Sequence, residues 1–306
     1  MTDLKISIQD SFFEEEVRWN YVVTQKAKEV WAIELDLLSE FDRVCSKYGL
    51  NYCAGAGTML GAVRHNGFIP WDDDLDVYMI RQDFDALMDL ADEFIKPYFL
   101  QTTNNEKNLI RTFARLRNIE TTGTTCREKN MDICKGIFID IFPLDGISTN
   151  IFSDKVQYLK NTLHKDLAGC FNYSSSPNPD SSFKGSVKYL AYKAVATIFV
   201  HDKLKLFNVM NNNLKKYSSA NTMLWGNRTL VFKCPKSRRP LQDYQDLIWM
   251  PFEMLEIPVP KNYDSMLRQQ YGDYMTIPEN KKGSIHGELI VSTDYTYDDP
   301  RRLTEK

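Results

Sequence analysis

The chain has no Cys-x-x-Cys pair, four histidines, and no apolar run approaching the ~18 residues that a membrane-spanning helix needs. Its six cysteines (Cys45, Cys53, Cys126, Cys134, Cys170, Cys234) are scattered and mostly flanked by apolar residues, which argues against a disulfide framework and for reduced thiols in a cytosol. Cys126 and Cys134 share a polar stretch, but no Cys/His pair follows at zinc-site spacing, which disfavours a metal there. The best candidate for a span, Leu190 to Val200, is short and contains Lys193. The first residues are polar and acidic, unlike a signal peptide. With 14 glycines and 12 prolines the chain is neither collagen-like nor of low complexity, and a net charge of −3 gives no global attraction to nucleic acid. No internal repeat is visible. What these absences leave is a soluble, cytoplasmic globular protein of 306 residues, long enough to bury a substantial core.

Acidic residues are present where they carry most information. Pro70 to Val77 reads Pro-Trp-Asp-Asp-Asp-Leu-Asp-Val, continuing into Tyr78 and Met79. Read as a half-buried strand, this segment puts Asp74 and Asp76 on one face, with Cα atoms roughly 6–7 Å apart. Two like charges about 5 Å apart repel by about 3 kcal/mol at an effective dielectric near 20, so the pattern calls for a cation between them. Oxygen-only ligation favours Mg²⁺ or Mn²⁺, ions that also bind phosphates. Asp72 and Asp73 read as a solvated turn. A calcium loop is a poor reading, because Val77 stands where its sharp turn needs glycine. A second buried strand, Gly136 to Phe142 with Pro143 as its stop, carries the single acid Asp140. An unpaired carboxylate there costs several kcal/mol, which makes Asp140 the natural third ligand.

Around these strands, apolar spacing predicts a helix over Val30 to Tyr48 ended by Gly49, a strand from Leu50 to Ala54, and a helix from Met59 to His65. A further amphipathic helix runs from Phe84 to Ile95 with Asp83 as N-cap, and strands follow at Tyr98–Gln101 and Arg111–Arg117. Phe152–Leu167 and Phe183–Tyr217 are helical by period. From Asp154 to Lys216 there are ten Lys and no Arg, against four Asp and no Glu. This basic middle reads as a solvated surface, or as a face for an anionic acceptor or membrane leaflet. A short helix is expected at Asp264–Tyr271.

A strand, a glycine turn, a helix, an Asp-x-Asp strand and a later strand with one more Asp resemble the nucleotidyltransferase fold of DNA polymerase β-like enzymes. The block from Gly57-Thr58-Met59-Leu60-Gly61 through Arg64-His65-Asn66-Gly67 to Pro70-Trp71-Asp72-Asp73-Asp74-Leu75-Asp76 is more specific, and resembles the LicD family. Further matches are Ala114-Arg115-Leu116-Arg117, Phe138 to Asp145, and Tyr271-Gly272-Asp273-Tyr274-Met275, the last also readable as a helix stop. LicD proteins are phosphocholine transferases of bacterial surface glycans, related to fukutin-type ribitol-phosphate transferases.

The resemblance implies an α/β (α+β) protein: a nucleotidyltransferase-like mixed sheet flanked by helices over 28–147, a helical and mixed region over 148–290, and a polar tail over 291–306. It implies Mg²⁺ (or Mn²⁺) held by Asp74, Asp76 and Asp140. Nucleotide and phosphate would meet Gly57 and Thr58, Arg64 and His65, Arg115 and Arg117, and His286. Duller roles stand beside these: Arg64 and His65 solvating a helix end, Arg115 and Arg117 in a strand-edge salt bridge, His286 idle. The implied reaction moves a phospho-alcohol, phosphocholine from CDP-choline foremost, to a hydroxyl of a surface glycan such as lipopolysaccharide or teichoic acid, or its lipid-linked precursor, releasing CMP. Asp140 would help deprotonate that hydroxyl. The rival readings are a metal-dependent glycosyltransferase gripping a nucleotide sugar through Asp-x-Asp, and a non-catalytic glycan-binding relative. The location implied is the cytoplasm, with peripheral contact at the inner membrane face.

Overall fold

The computed structural model describes residues 2–125, 128–129, 131–175, 182–218, 222–229, 238–279 and 290–301. A short hairpin of β1 (Glu16–Arg18) and β2 (Tyr21–Val23) leads into α1 (Gln25–Tyr48). Thr24 caps this helix by accepting the Ala27 N–H on its hydroxyl, and Gly49 ends it in the left-handed region at φ 66°. The cap starts α1 five residues before Val30, where the apolar period becomes legible. Trp31, Ile33, Leu35, Leu37, Leu38, Phe41 and Val44 are all buried, so α1 lies within the core.

Next come β3 (Cys53–Ala54), α2 (Ala56–His65), β4 (Asp76–Ile80), α3 (Arg81–Met88), β5 (Tyr98–Gln101), β6 (Ala114–Asn118), β7 (Thr122–Thr124) and β8 (Ile137–Ile147). The main sheet has the order β3-β4-β8-β6-β5, with β9 (Leu224–Asn227) also on β8. β4 and β8 are parallel and the other pairs antiparallel, a mixed sheet as expected. Three local expectations fail. The helix expected from Phe84 to Ile95 ends at Met88, and only a short 3-10 turn follows at Ala91–Glu93. Pro143 does not stop β8: β6 pairs as far as Ile141 and β9 begins at Leu144, so Pro143 falls in the gap, where its missing N–H costs no ladder bond. Asp83 is not the cap of α3; it lies in the first turn, and its carboxylate accepts the Asn51 N–H at 3.2 Å.

The basic middle forms α4 (Ile151–Ser174), α5 (Phe183–Phe199) and α6 (Lys203–Leu214). The run expected over 183–217 breaks where Asp202 caps α6, accepting from the N–H groups of Leu204 and Lys205. These helices dock through a small cluster of Ile110, Ala168, Val200, Leu206 and Met210. The remaining elements are α7 (Leu241–Gln245), a hairpin of β10 (Leu247–Phe252) and β11 (Leu255–Pro260), α8 (Tyr263–Tyr271), and β12 (Ile290–Ser292) paired with β7. Strand β12 thus takes in the first two residues of the stretch read as a polar tail.

Candidate active site

One row of side chains crosses the sheet. Asp76 on β4 is the register partner of Asp140 on β8, Asp140 of Arg115 on β6, and Arg115 of Gln101 on β5. Residues directly opposite share a face, so this face is charged. The alternate positions Val77, Ile139, Ile141, Leu116 and Leu100 are buried on the other face, against α1.

The main chain of Asp76 is held at both its N–H and its C=O. Its N–H donates to Thr58 Oγ1 at 2.8 Å, and its C=O accepts the Gly55 N–H at 2.9 Å. Both partners belong to the start of α2, with Gly55 as the N-cap, so the helix N-terminus is fixed beside the acids. A Cβ on Gly57 would stand 3.0 Å from Asp72 Oδ2, and one on Gly55 would stand 2.6 Å from the Tyr78 ring. A side chain at Gly57 would crowd the Asp72 carboxylate, and one at Gly55 would collide with the Tyr78 ring on β4. Gly55 supplies no side-chain acceptor to the first turn, which leaves this helix start suited to an external anion.

The acids gather differently from the expected triad. β4 begins at Asp76, so the strand period does not fix Asp74. Among the described residues the carboxylates that come together are Asp72, Asp73 and Asp74, with ligand oxygens within 4.8 Å of one another. Asp72, read as a solvated turn residue, is half-buried; burial first, then the Asp74 charge, raises its carboxyl to about 8. Burial, followed by the charges of Asp74, Asp140 and Asp72, pushes Asp76 well above the ordinary carboxylate range, with Arg115 opposing. Asp140 enters mainly as a partner of Arg115, whose Nε lies 2.5 Å from its Oδ1.

Sequence reasoning missed Glu34. It sits on α1 at 2% exposure, and its Oε2 accepts no hydrogen bond among the described residues. Burial, then the charges of Asp74, Asp73, Asp72 and Asp76, raise its carboxyl strongly. Its signal was a lone acid on the apolar spacing Trp31–Leu38–Phe41. Tyr271, read from the sequence only within a family match and a helix stop, is 42% exposed as a whole residue. Yet partial burial of its hydroxyl, then Asp76, Asp72 and Asp74, raise that group, placing the end of α8 within electrostatic reach of the acids.

The arginines divide by role. Arg115 bridges Asp140 and Glu128, the latter through Nη1 at 2.9 Å to each oxygen, and lies 3.7 Å over the Phe138 ring. Arg117 is fully buried, donating to Gln101 Oε1, Gly123 O, Gly136 O and Glu128 Oε2, a structural anchor rather than a phosphate ligand. Arg111 joins them on Glu128; burial, then Arg115, lowers its guanidinium to about 9. Arg64 has no carboxylate partner among the described residues. Its Nη1 donates to Tyr274 O at 2.6 Å, and its Nε to His65 Nε2 at 2.9 Å. His65 lies edge-on to Trp19 and Trp71, and burial, then Arg64, lowers it to about 4, so it is a neutral acceptor that orients Arg64. His286 and Cys126 lie outside the described residues; Cys134 is a free, half-buried thiol.

Residues 49–168 match the LicD/FKTN/FKRP nucleotidyltransferase domain. The chain is 30% identical over 265 residues to the lipopolysaccharide cholinephosphotransferase LicD of Haemophilus influenzae, covering 82% of this chain and 92% of that protein. Shorter matches are to uncharacterized proteins of Rickettsia typhi, 37% identical over 73 residues (21% of this chain and 24% of that one), and of Rickettsia prowazekii, 38% over 58 residues (19% and 22%). With that likeness along nearly the whole of one relative, the chain belongs to the LicD family.

Proposed function

We propose that this protein is a phosphotransferase that moves a phospho-alcohol, phosphocholine from CDP-choline foremost, onto a hydroxyl of a surface glycan or its lipid-linked precursor, with release of CMP. One observation carries this reading: a helix start suited to an anion is clamped through Thr58 and Gly55 to Asp76, beside carboxylates crowded enough to need a cation. A metal-bound diphosphate answers both demands at once. The relative from Haemophilus, a lipopolysaccharide cholinephosphotransferase by name, supports phosphocholine as the group moved.

The donor set fits Mg²⁺ or Mn²⁺. It is all oxygen, it includes Asp72 and Asp76, whose carboxyls burial first and then neighbouring acids raise, and Glu34 adds a buried oxygen that accepts no hydrogen bond among the described residues. Asp74 and Asp76, with Asp72 alongside, would hold the ion, which when bound would offset charge on the diphosphate and the leaving CMP. The first turn of α2 at Gly57 and Thr58 would receive phosphate oxygens. Arg64, oriented by neutral His65, would neutralise charge on the departing phosphate. The acceptor hydroxyl attacks the phosphorus bearing the alcohol in line with CMP departure. Its proton would go to a carboxylate of the set. Action in the cytoplasm is part of the proposal.

The test is to incubate the purified protein with Mg²⁺, a panel of CDP-alcohols and nucleotide sugars, and candidate acceptors, with and without EDTA. Metal-dependent CMP release from one CDP-alcohol, lost in Asp74→Ala, is the expected result. Release of UDP or GDP from a nucleotide sugar would replace this reading with glycosyl transfer.

A further inference from the structure

Helix α4 is turned inside out. Its buried side carries Asp154, Gln157 and Asn161. Asp154 pairs with Arg228 and Arg238 at 2.8 Å each, Gln157 donates to Asn213 O at 2.6 Å, and Asn161 accepts from Asn213. Its outer side carries Phe152, Val156, Leu159 and Leu163, which are 75%, 38%, 68% and 59% exposed. Helix α5 repeats the pattern: Phe183, Val187, Leu190 and Ile198 are 85%, 52%, 64% and 59% exposed, while Gly185 and Ala196 are buried. The two helices touch through Tyr173 against Tyr189 and Tyr192. At about 100° per residue each outer set makes one stripe. Lys155 and Lys160 flank the stripe of α4 at about 70° on either side, and Lys184 and Lys193 flank that of α5 at about 90°. All four lysines are exposed.

An apolar stripe bordered by lysines is the pattern of a helix lying in the plane of an anionic bilayer, its apolar side among the acyl chains and its ammonium groups at the phosphates. Charge selects this occupant: α4 and α5 hold six Lys against two Asp, one of them the buried Asp154, with no Arg and no Glu. A cavity of about 120 Å³ opens beside the α4 stripe, with Phe152, Val156, Lys160, Lys216 and Tyr217 among its lining residues, so apolar and cationic side chains border the same opening. No helix among the described residues is long and apolar enough to cross a membrane, so the contact would lie on the surface. We infer that the outer sides of α4 and α5 are docking surfaces for an anionic phospholipid bilayer. It stands on the surface alone, independent of the chemistry at Asp74 and Asp76.

The test is flotation of the purified full chain with vesicles of phosphatidylcholine alone or mixed with phosphatidylglycerol, at low and high salt. The wild type should bind the anionic vesicles and be weakened by salt. Leu159→Glu combined with Leu190→Glu should lower partitioning about tenfold or more. Lys155→Glu combined with Lys160→Glu should remove the preference for anionic lipid. Both variants substitute exposed residues, and an unchanged thermal transition will show that they fold. Asp74→Asn, which abolishes turnover under the proposed function, should float like the wild type, so the two readings fail separately. No flotation of the wild type at low salt, or flotation untouched by the leucine pair, overturns the inference. A wild-type dimer that the leucine pair dissolves overturns it too, assigning the face to a second copy of the chain.

Discussion

Asp140 and Arg115 face each other across the antiparallel β6–β8 pair, Nε to Oδ1 at 2.5 Å, with both side chains almost wholly buried. The same guanidinium also grips Glu128, so one residue pairs with two buried acids, Arg111 and Arg117 sharing the second. Removing one partner of a buried pair strands the other, which typically costs about 3–5 kcal/mol. Arg115→Met should lose that much in urea unfolding. Replacing Asp140 by Asn in the same protein should recover part of it. A loss near zero for Arg115→Met would mean that water reaches the pair.

Glu128 gives the fold an acid limit. Burial alone would raise its carboxyl, but Arg115, Arg111 and Arg117 outweigh burial and hold it well below the usual range. A depressed folded pKa contributes stability that is present above the unfolded value, near 4.3, and is lost as pH falls from there toward the folded pKa. Wild type should therefore exceed Glu128→Gln in unfolding free energy at pH 7, and the gap should narrow below about pH 4. A gap independent of pH would show that the carboxylate charge is not what matters.

Glu34 should behave in the opposite sense. Its raised folded pKa gives stability that is full below the unfolded value and lost as pH rises through the folded one. In metal-free buffer Glu34→Gln should melt above wild type at pH 8, the two converging toward pH 4.5 and below. Wild type melting higher at pH 8 would contradict the crowding of acids around Glu34.

How far the sequence announced this site depends on the kind of information each residue carries. Periodicity located α1, α2 and the strand at Tyr98–Gln101, because burial on one face leaves a repeat in the chain. Capping and pairing are less visible: Asp202 breaks a continuous helical period, and Pro143 is tolerated only because two partner strands leave a gap there. Asp72 looked like a solvated acid, since nothing local shows that Trp31 donates to its carbonyl or that α2 closes over it. Arg115 and Arg117 share a strand face as expected, yet their roles are set by Glu128 and by the carbonyls of Gly123 and Gly136, remote choices that no spacing encodes. Tyr271 feels the charge of the acids only because α8 packs near them, which is a tertiary fact.

Thr58 offers a clean test of the clamp. Its hydroxyl accepts the Asp76 N–H and is almost wholly buried. Thr58→Val keeps the shape and leaves that amide without its acceptor, at a cost of about 1–3 kcal/mol. Thr58→Ser keeps the acceptor and should stay within about 1 kcal/mol of wild type. Under the proposed function, turnover should fall more for Val than for Ser even at temperatures where both are fully folded, because the acids lose their register against α2. Equal turnover would separate the clamp from the chemistry.

The two arrangements of acids make different demands on a metal titration. If Asp74 and Asp76 hold the ion with Asp72 alongside, Mg²⁺ should raise the melting temperature of wild type progressively, each tenfold in concentration above the dissociation constant adding about 1.4 kcal/mol. Asp74→Asn and Asp76→Asn should abolish that rise. Each also removes a mutually repelling charge, so the metal-free variants should be no less stable than wild type at pH 8. Asp140→Asn should do the reverse, losing stability without metal by freeing Arg115 while keeping most of the response to Mg²⁺. A folded Asp140→Asn protein blind to Mg²⁺ would instead make Asp140 a ligand, with Arg115 holding it until the ion arrives.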